Sequence, residues 1–221
     1  MIADPCQIAA GPRSTGEHSA AYHQHWVVAA IVALVVFLAA GFTAATRPAT
    51  GSAPGAITLS STTTPLADGG TTVDFVNGIT LTVAPGWRVF TSNHTGIWAR
   101  NSDRTASIAV VTGHPHTPDI ASEMAWLINQ DITTNGYMNV VQDPSSEGVQ
   151  TVQGKHFTQE LLVGYTGNRQ TDQGTQQLYG IWTELFNSAT QQDAFIDLRA
   201  ASMETLAAAI PDAKRMTGSI L

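Results

Sequence analysis

The chain has 221 residues, of which 12% are charged, and a formal net charge of −7. About 25% charged residues is typical of soluble proteins. Its ten lysines and arginines form no basic stripe, which excludes the surface that a nucleic-acid partner needs. The single cysteine, Cys6, lies near the start, so a disulfide framework, a cysteine-based zinc site and a cysteine nucleophile are excluded from the rest of the chain.

The first predicted element is the apolar stretch "WVVAAIVALVVFLAAGFTAA" at residues 26–45. A helix needs about 20 apolar residues to cross a bilayer, and Trp26 suits the headgroup level. A buried core helix would usually show a polar face, which this stretch lacks. A cleaved secretory signal is the other alternative, with 43–45 as the cleavage site, but its apolar region would be shorter and its start more basic. We predict a single transmembrane helix.

Residues 46–70, "TRPATGSAPGAITLSSTTTPLADGG", have the composition of a flexible linker. Arg13 and Arg47 flank the apolar stretch, so the positive-inside rule does not fix its orientation. Threonine- and proline-rich spacers are frequent outside the cell. We therefore expect residues 1–25 to be a cytoplasmic tail and residues 71–221 to be an extracytoplasmic domain at the cell membrane.

After residue 70, short alternating runs separated by turn residues predict antiparallel strands. Asn77–Gly78 lies between the first two runs and predicts a hairpin with a type I′ turn, which needs positive φ at both central residues. The predicted strands of this half are 73–75, 79–83, 87–90, 96–101 and 105–113, with a turn at 102–104.

The second half contains a predicted helix between residues 117 and 136. Thr117 suits its N-cap, Pro118 its first position and Gly136 its end, and Ile120, Met124, Leu127 and Ile128 form one apolar stripe. Strands are then predicted at 137–142, 149–167 (a hairpin or one bent strand), 175–187 and 194–202, with a polar loop at 168–174. A short helix at 203–210 is expected to close at Pro211.

This order of elements predicts an α+β domain, an antiparallel sheet with helices packed on it. The segment "VNGITLTVAPGW" resembles the opening of the PsbP-like family, which includes actinobacterial envelope proteins, and the strand "AFIDLRAAS" with a short helix and "GSI" is similar to that family's end. The resemblance covers about residues 71–221 and implies an α/β/α sandwich around an antiparallel sheet. It implies a non-enzymatic partner of larger membrane complexes and no catalytic residues. A photosystem role is not implied, because the chain has its own membrane helix and no evident basic docking patch.

Few side chains suggest chemistry. His114, His116 and Asp119 could hold zinc with one open position; alternatively they belong to an exposed loop before a capped helix. Trp126, at the edge of the apolar stripe, is a candidate interface anchor. The sequence contains no Gly-x-Ser-x-Gly, Ser-x-x-Lys or phosphate-loop motif. Other titratable groups are interpreted as solvated: His94 in a turn, and Glu160, Glu184 and Asp197 on the wet faces of strands.

These features predict a non-enzymatic accessory or binding component of an envelope or membrane protein complex, anchored by one helix and without a cofactor. A lipid or another small apolar ligand bound between sheet and helices is one alternative. A hydrolase or metal enzyme that uses the His114–His116 loop is the other.

Overall fold

The computed structural model describes residues 61–143 and 148–221, which contain eleven strands and two helices. The helices are α1 (Ile120–Asn135) and α2 (Met203–Ile220). The strands are β1 (Thr62–Pro65), β2 (Thr71–Asp74), β3 (Thr80–Val83), β4 (Trp87–Ser92), β5 (Gly96–Asn101), β6 (Ala106–Gly113), β7 (Tyr137–Gln142), β8 (Gln150–Thr151), β9 (Gln159–Thr171), β10 (Gly174–Asn187) and β11 (Gln192–Ala200).

All strand pairs are antiparallel, and they form two sheets. The small sheet has the order β1-β2-β3. The large sheet has the order β4-β5-β6-β11-β10-β9-β7, and β8 pairs with β9. Strands β10 and β11 therefore lie at the centre of the large sheet, which explains why nearly all of β11 is buried although it carries polar residues.

The two helices contact opposite faces of the large sheet. Side chains of β11 alternate between them: Ile196 and Leu198 belong to the larger apolar core, which α2 closes, and Phe195 belongs to a second core under α1. The predicted α+β arrangement around an antiparallel sheet is confirmed. Helix α1 contacts β7, β9 and β10. Over β4, β5 and β6 the same face carries no helix from the described parts of the chain, and this open half of the sheet is where the candidate site lies.

The β2–β3 hairpin forms as predicted, but its turn is not type I′. Gly78 has φ 79°, whereas Asn77 is not among the residues with positive φ. The Gly78 N–H donates to the Phe75 carbonyl, and the Asn77 side chain accepts from the Ile79 N–H at 3.4 Å. The hairpin therefore uses a longer loop in which one left-handed glycine suffices.

Both helix starts are capped by a side chain. Helix α1 begins after Asp119, whose carboxylate accepts the Ser122 N–H at 2.9 Å, so Asp119 is the cap in place of the predicted Thr117. Gly136 ends this helix as predicted. Helix α2 is capped by Ser202 and continues to Ile220, so the prediction that Pro211 closes it was wrong.

Two other boundaries differ from prediction, and one open alternative is decided. The last residues of the predicted linker contain β1, which pairs with β2. The region 149–167 is a hairpin of β8 and β9, and the predicted polar loop at 168–174 is a tight turn because β9 continues to Thr171. The predicted tail and transmembrane helix, residues 1–45, lie outside the described residues. Neither α1 nor α2 is long and apolar enough to cross a membrane.

Candidate functional site

A row of arginines crosses the open half of the sheet. In the strand register, Arg88 on β4 pairs with Arg100 on β5, Arg100 pairs with Ser107 on β6, and Ser107 pairs with Arg199 on β11. Side chains at paired positions lie on the same face, with Cβ atoms about 4.5–5.5 Å apart. Residues scattered over more than 110 positions of the sequence are thereby placed side by side.

A cavity of about 180 Å³ lies at this row, and four arginines line it: Arg100, Arg104, Arg169 and Arg199. We call it the arginine pocket. No carboxylate is among its lining residues, and Thr105, Ser107 and Gln176 add polar side chains. In residues 61–143 and 148–221, the one ion pair made by these arginines is that of Arg199 with Asp197. The pocket therefore collects positive charge on a chain whose net charge is −7.

The arginines of the pocket lie close enough to influence one another. Partial burial lowers the pKa of Arg100, and the positive charges of Arg169 and Arg104 lower it further. Full burial lowers the pKa of Arg199 as well, and Arg100 contributes to that effect. Like charges held together in this way favour an anion between them.

Arg104 reaches the pocket from the β5–β6 turn, which was predicted at 102–104. Its N–H donates to the Asn101 carbonyl at 3.0 Å, and its φ is 61°. This left-handed conformation is costly for a residue with a Cβ, by roughly 1–2 kcal/mol. An arginine therefore occupies a position at which glycine would cause less backbone strain.

Arg199 is fixed from below by a buried polar network. Its Nη1 donates to Asp197 at 3.2 Å and its Nε donates to the Ser107 hydroxyl oxygen at 3.2 Å. Asp197 also accepts the hydroxyls of Tyr137 at 3.0 Å and Tyr165 at 2.7 Å. The guanidinium thus has a set position. Burial raises the pKa of Asp197, and the charge of Asp131 adds to this rise.

Asp131, on α1, belongs to the same layer. It accepts Trp182 Nε1 at 2.8 Å, and the Tyr165 ring stacks on Trp182 with centroids 3.8 Å apart. Burial raises the pKa of Asp131, while the charges of Arg199 and Arg169 oppose that rise. Even with both aspartates ionised, four arginines against two carboxylates leave an excess of two positive charges at the pocket.

Beside the pocket, four side chains form a surface that we call the arginine–aromatic face: Arg88, Phe90, Trp98 and Arg100. The rings of Phe90 and Trp98 have centroids 5.4 Å apart. The Arg100 guanidinium carbon lies 4.1 Å from the Trp98 centroid, and that of Arg88 lies 5.8 Å from the Phe90 centroid. Such cation–π contacts contribute about 0.5–1 kcal/mol each at exposed sites and hold the arginines in place.

Two observations mark this face as incomplete. The Phe90 side chain is 42% exposed on β4, a terminal strand in the order of the large sheet. Trp98 Nε1 is buried, yet has no acceptor among residues that the structure describes. An unsatisfied buried donor costs about 1–3 kcal/mol.

The loop before α1 does not bring the predicted metal candidates together. His114 Nδ1 contacts the Gln191 carbonyl at 2.6 Å, and Asp119 caps the helix. His116 Nδ1 lies 3.0 Å from Glu123 Oε1, and its ring stacks on Trp126 with centroids 3.9 Å apart. The described part of the chain has no group of three His, Cys, Asp or Glu residues placed to hold a metal ion.

Trp126, the predicted interface anchor, is half-buried between His116 and the second core. This contact fixes the loop to α1. Glu123 accepts the N–H groups of His116 and Thr117, both at 2.8 Å, and strengthens the same junction. The arrangement positions the loop over the sheet.

Buried carboxylates near this loop were not expected. Glu123 and Glu184 are fully buried, Asp193 is 6% exposed and Asp197 is 1% exposed. The interpretation of Glu184 and Asp197 as wet-face residues was therefore wrong, because α1 covers this part of the face. Burial raises the pKa of Glu184, and the charges of Asp193 and Glu123 add to the effect. Both Glu184 oxygens lack a hydrogen-bond partner within the described ranges.

On the opposite face, a cavity of about 310 Å³ lies between α2 and the sheet. Aliphatic side chains dominate its walls, among them Leu162, Ile181, Ile196, Leu198, Ile210 and Leu221. Lys214 is also at its border. Its volume is at the lower end of the range for small-molecule sites, about 300–1,000 Å³.

The sequence-based interpretation found no basic docking patch, and the arginine row overturns it. The patch is invisible in the sequence because its members come from β4, β5, the β5–β6 turn, β9 and β11. Only the pairing register brings them together. The available signal was the alternation of Trp98 and Arg100 on one face of "GIWARN".

No protein-family model and no curated protein matches the chain. Among solved structures, the chain is similar to the Ran-binding protein Mog1p of Saccharomyces cerevisiae, with 15% identity and a TM-score of 0.44, over 68% of this chain and 92% of Mog1p. It is also similar to CyanoP, the cyanobacterial PsbP of Synechocystis, with 11% identity and a TM-score of 0.41, over 76% of this chain and 96% of CyanoP. These likenesses concern the antiparallel α+β arrangement alone; they transfer no residue role to this chain.

Proposed function

We propose that this chain is a membrane-anchored, non-enzymatic binding component of an envelope or membrane protein complex. In this proposal the apolar stretch at 26–45 is the anchor, and the folded domain lies outside the cytoplasm. The domain binds a protein partner through the arginine–aromatic face. The observation that carries the proposal is the ordered stack of Arg88, Phe90, Trp98 and Arg100 on a part of the sheet that no helix of the described residues covers.

The residue types of this face suit protein recognition. Tryptophan and arginine are enriched among residues that dominate binding energy, and aromatic residues are enriched at interface cores. Side chains already held by stacking lose little conformational freedom on binding, because their rotamers are restricted beforehand. The arginine–aromatic face therefore starts with a lower entropic cost than a set of free surface side chains.

The charge of the face defines the partner. Arg88 and Arg100 point at ring faces, and the arginine pocket adjoins them, so the surface is cationic on an acidic chain. A complementary partner presents acidic side chains beside an apolar anchor point for Phe90 and Trp98. A membrane anchor would confine the domain near such a partner and raise its effective concentration.

The test is co-purification of the tagged full chain, in mild detergent, from membranes of the cells that produce it. We expect a stoichiometric partner with the unmodified chain. Phe90→Ala and Arg88→Glu should each reduce its recovery at least about tenfold, the loss expected of an energetically dominant contact. Met138→Ala is the matched control, since Met138 is 40% exposed but lies on β7, at the other end of the strand order.

The recovered partner must carry an acidic surface that cross-links to the arginine–aromatic face. Recovery of the chain alone and monodisperse would contradict the proposal. Equal recovery with Phe90→Ala, Arg88→Glu and the unmodified chain would contradict the assignment of the surface. Thermal unfolding of each variant checks that the fold is retained.

The aliphatic cavity under α2 favours a second candidate, the binding of a small apolar ligand. Native mass spectrometry of the full chain released from detergent would detect such a ligand. Ile181→Trp would fill the cavity from β10 and is expected to displace it. A ligand retained by this variant would show that the cavity is not its site.

A further inference from the structure

Three of the four arginines in the arginine pocket form no ion pair with a carboxylate of the described residues. Arg199 is tied to Asp197 and Ser107, whereas Arg100, Arg104 and Arg169 have no carboxylate within 4.0 Å in the described ranges. Arg104 holds its position with a left-handed backbone. All three of these side chains are at least partly exposed.

We propose that the arginine pocket is a binding site for a phosphate group, held by Arg100, Arg104 and Arg169 with Arg199 behind them. This goes beyond the proposed protein partner and does not depend on it, because the pocket belongs to the chain alone. The shared chemistry is a phosphate oxyanion. Its source is either a soluble phosphate or phosphate monoester, or the monoester headgroup of an anionic phospholipid.

The positive charge of the pocket and the number of its guanidinium groups favour a phosphate over a single carboxylate as the ligand. A phosphate monoester carries a charge of about −1.5 to −2 near neutral pH, which suits a pocket with an excess of at least two positive charges. A carboxylate offers two acceptor oxygens, and a phosphate monoester offers three. Three guanidinium groups from β5, the β5–β6 turn and β9 can each address a different oxygen, because arginine binds planar and tetrahedral oxyanions through a rigid fork.

Neutral donors complete the site. The Ser107 hydroxyl oxygen accepts from Arg199 Nε at 3.2 Å, which leaves its hydrogen available to a ligand. Trp98 Nε1 is a buried donor without an acceptor in the described parts of the chain, and Trp98 lines the pocket. Gln176, from β10, adds an exposed amide. Ser107 and Gln176 are donors that an oxyanion in the pocket could satisfy.

The size of the cavity limits what enters it. At about 180 Å³ it is below the range of about 300–1,000 Å³ for drug-sized ligands. It therefore suits one compact group, and the rest of a larger ligand would extend into solvent or into a membrane surface.

The test is calorimetric titration of the full chain in a neutral detergent, near neutral pH and at constant ionic strength. The first arm uses inorganic phosphate and glycerol phosphate. The second uses mixed micelles that contain phosphatidic acid, whose headgroup is a phosphate monoester, with micelles of the neutral detergent alone as the blank. We expect saturable binding in at least one arm, with Arg169→Gln weakening it roughly tenfold or more.

Arg104→Gly separates binding from folding. Glycine adopts φ 61° without strain, so this variant should fold at least as stably as the unmodified chain. It should nevertheless bind phosphate roughly tenfold more weakly, because one guanidinium is lost. A purely structural role for Arg104 would not produce that combination.

Arg215→Gln is the matched charge control, since Arg215 pairs with Asp212 on α2, away from the pocket. It should leave binding unchanged. Binding in the first arm would show that a soluble phosphate is sufficient. Binding in the second arm alone would identify a lipid headgroup as the ligand. In either case Arg169→Gln must weaken the binding. The proposal is overturned if neither arm saturates, if Arg169→Gln and Arg104→Gly have no effect, or if Arg215→Gln weakens binding equally.

Discussion

Asp193 lies where β11 begins, close to a group of other titratable side chains. Its pKa is raised to about 7, chiefly by burial and also by the charge of Glu123, while His116 and His114 act in the opposite direction. Its ordinary pKa of 3.8 applies to the unfolded chain. Between these values the folded state holds a proton that the unfolded state has released, so stability falls as pH rises from about 4 towards 7. Glu184, with a pKa also raised by burial, acts in the same direction.

We predict that Asp193→Asn flattens this pH dependence, because asparagine carries no charge to desolvate. The fall in the free energy of unfolding between about pH 4 and pH 8 should shrink by on the order of 3–4 kcal/mol. Urea denaturation of the full chain across that range measures it. Asp172→Asn, in the exposed β9–β10 turn, serves as control and should leave the slope unchanged. An unaltered slope in Asp193→Asn would show that this carboxyl is ionised in the folded protein.

At the scale of elements, α2 shows a competition between local preference and packing. Pro211 has no N–H, so the carbonyl of Ala207 loses its helical partner. The helix continues because Ala213, Met216 and Ile220 are buried beyond it. Two hydrogen bonds tie the same part of the helix to the strands: Trp87 Nε1 donates to Asp212 at 2.8 Å, and the Thr82 N–H donates to Ser219 Oγ at 2.8 Å.

We predict that Pro211→Ala raises the free energy of unfolding by about 1–2 kcal/mol. The gain is smaller than the roughly 3 kcal/mol penalty of an interior proline, because proline also restricts the unfolded chain. Thermal or urea unfolding measures it. Ala208→Gly, at an exposed position of the same helix, should lower stability by about 1 kcal/mol. Lower stability in Pro211→Ala would mean that the proline ring makes a contact that matters more than its missing hydrogen bond.

The elements themselves were largely predictable from the sequence. Strands β5 and β7 have the predicted bounds, and the stripe of α1 is buried as expected, because alternation and helical spacing are local signals. The end of α2, the cap of α1 and the turn at Gly78 were not predicted correctly. In each case a tertiary contact or a side-chain acceptor outweighed the local preference of the residue.

At the scale of the whole molecule, charge is unevenly distributed. The chain has 17 acidic residues against ten lysines and arginines, yet four arginines line one pocket. The sequence-based interpretation missed this site because charge counts and spacing carry no information on strand register. Trp98 and Arg100 are neighbours in the sequence, but Arg169 and Arg199 reach them only through β9, β10 and β11.

This distribution predicts a salt dependence for the proposed partner. Association with an acidic protein should slow as ionic strength rises, because a Debye length of about 8 Å at physiological salt already screens distant charges. Stopped-flow or surface-based kinetics of the purified pair would measure the association rate. Arg88→Gln should reduce the slope, and Arg215→Gln should not. A rate that does not change with salt would argue that the partner is recognised by apolar contact alone.

The packing of Gly180 against Tyr165 has a further consequence. These residues are directly paired across β9 and β10, and a Cβ at 180 would overlap the Tyr165 ring. That ring also stacks on Trp182 and donates its hydroxyl to Asp197 beneath the arginine pocket. We therefore expect positions 165 and 180 to covary. A homologous chain with a side chain at position 180 cannot also have an aromatic ring at position 165. A relative that has neither glycine at 180 nor tyrosine at 165 would have to support the arginine pocket with different side chains.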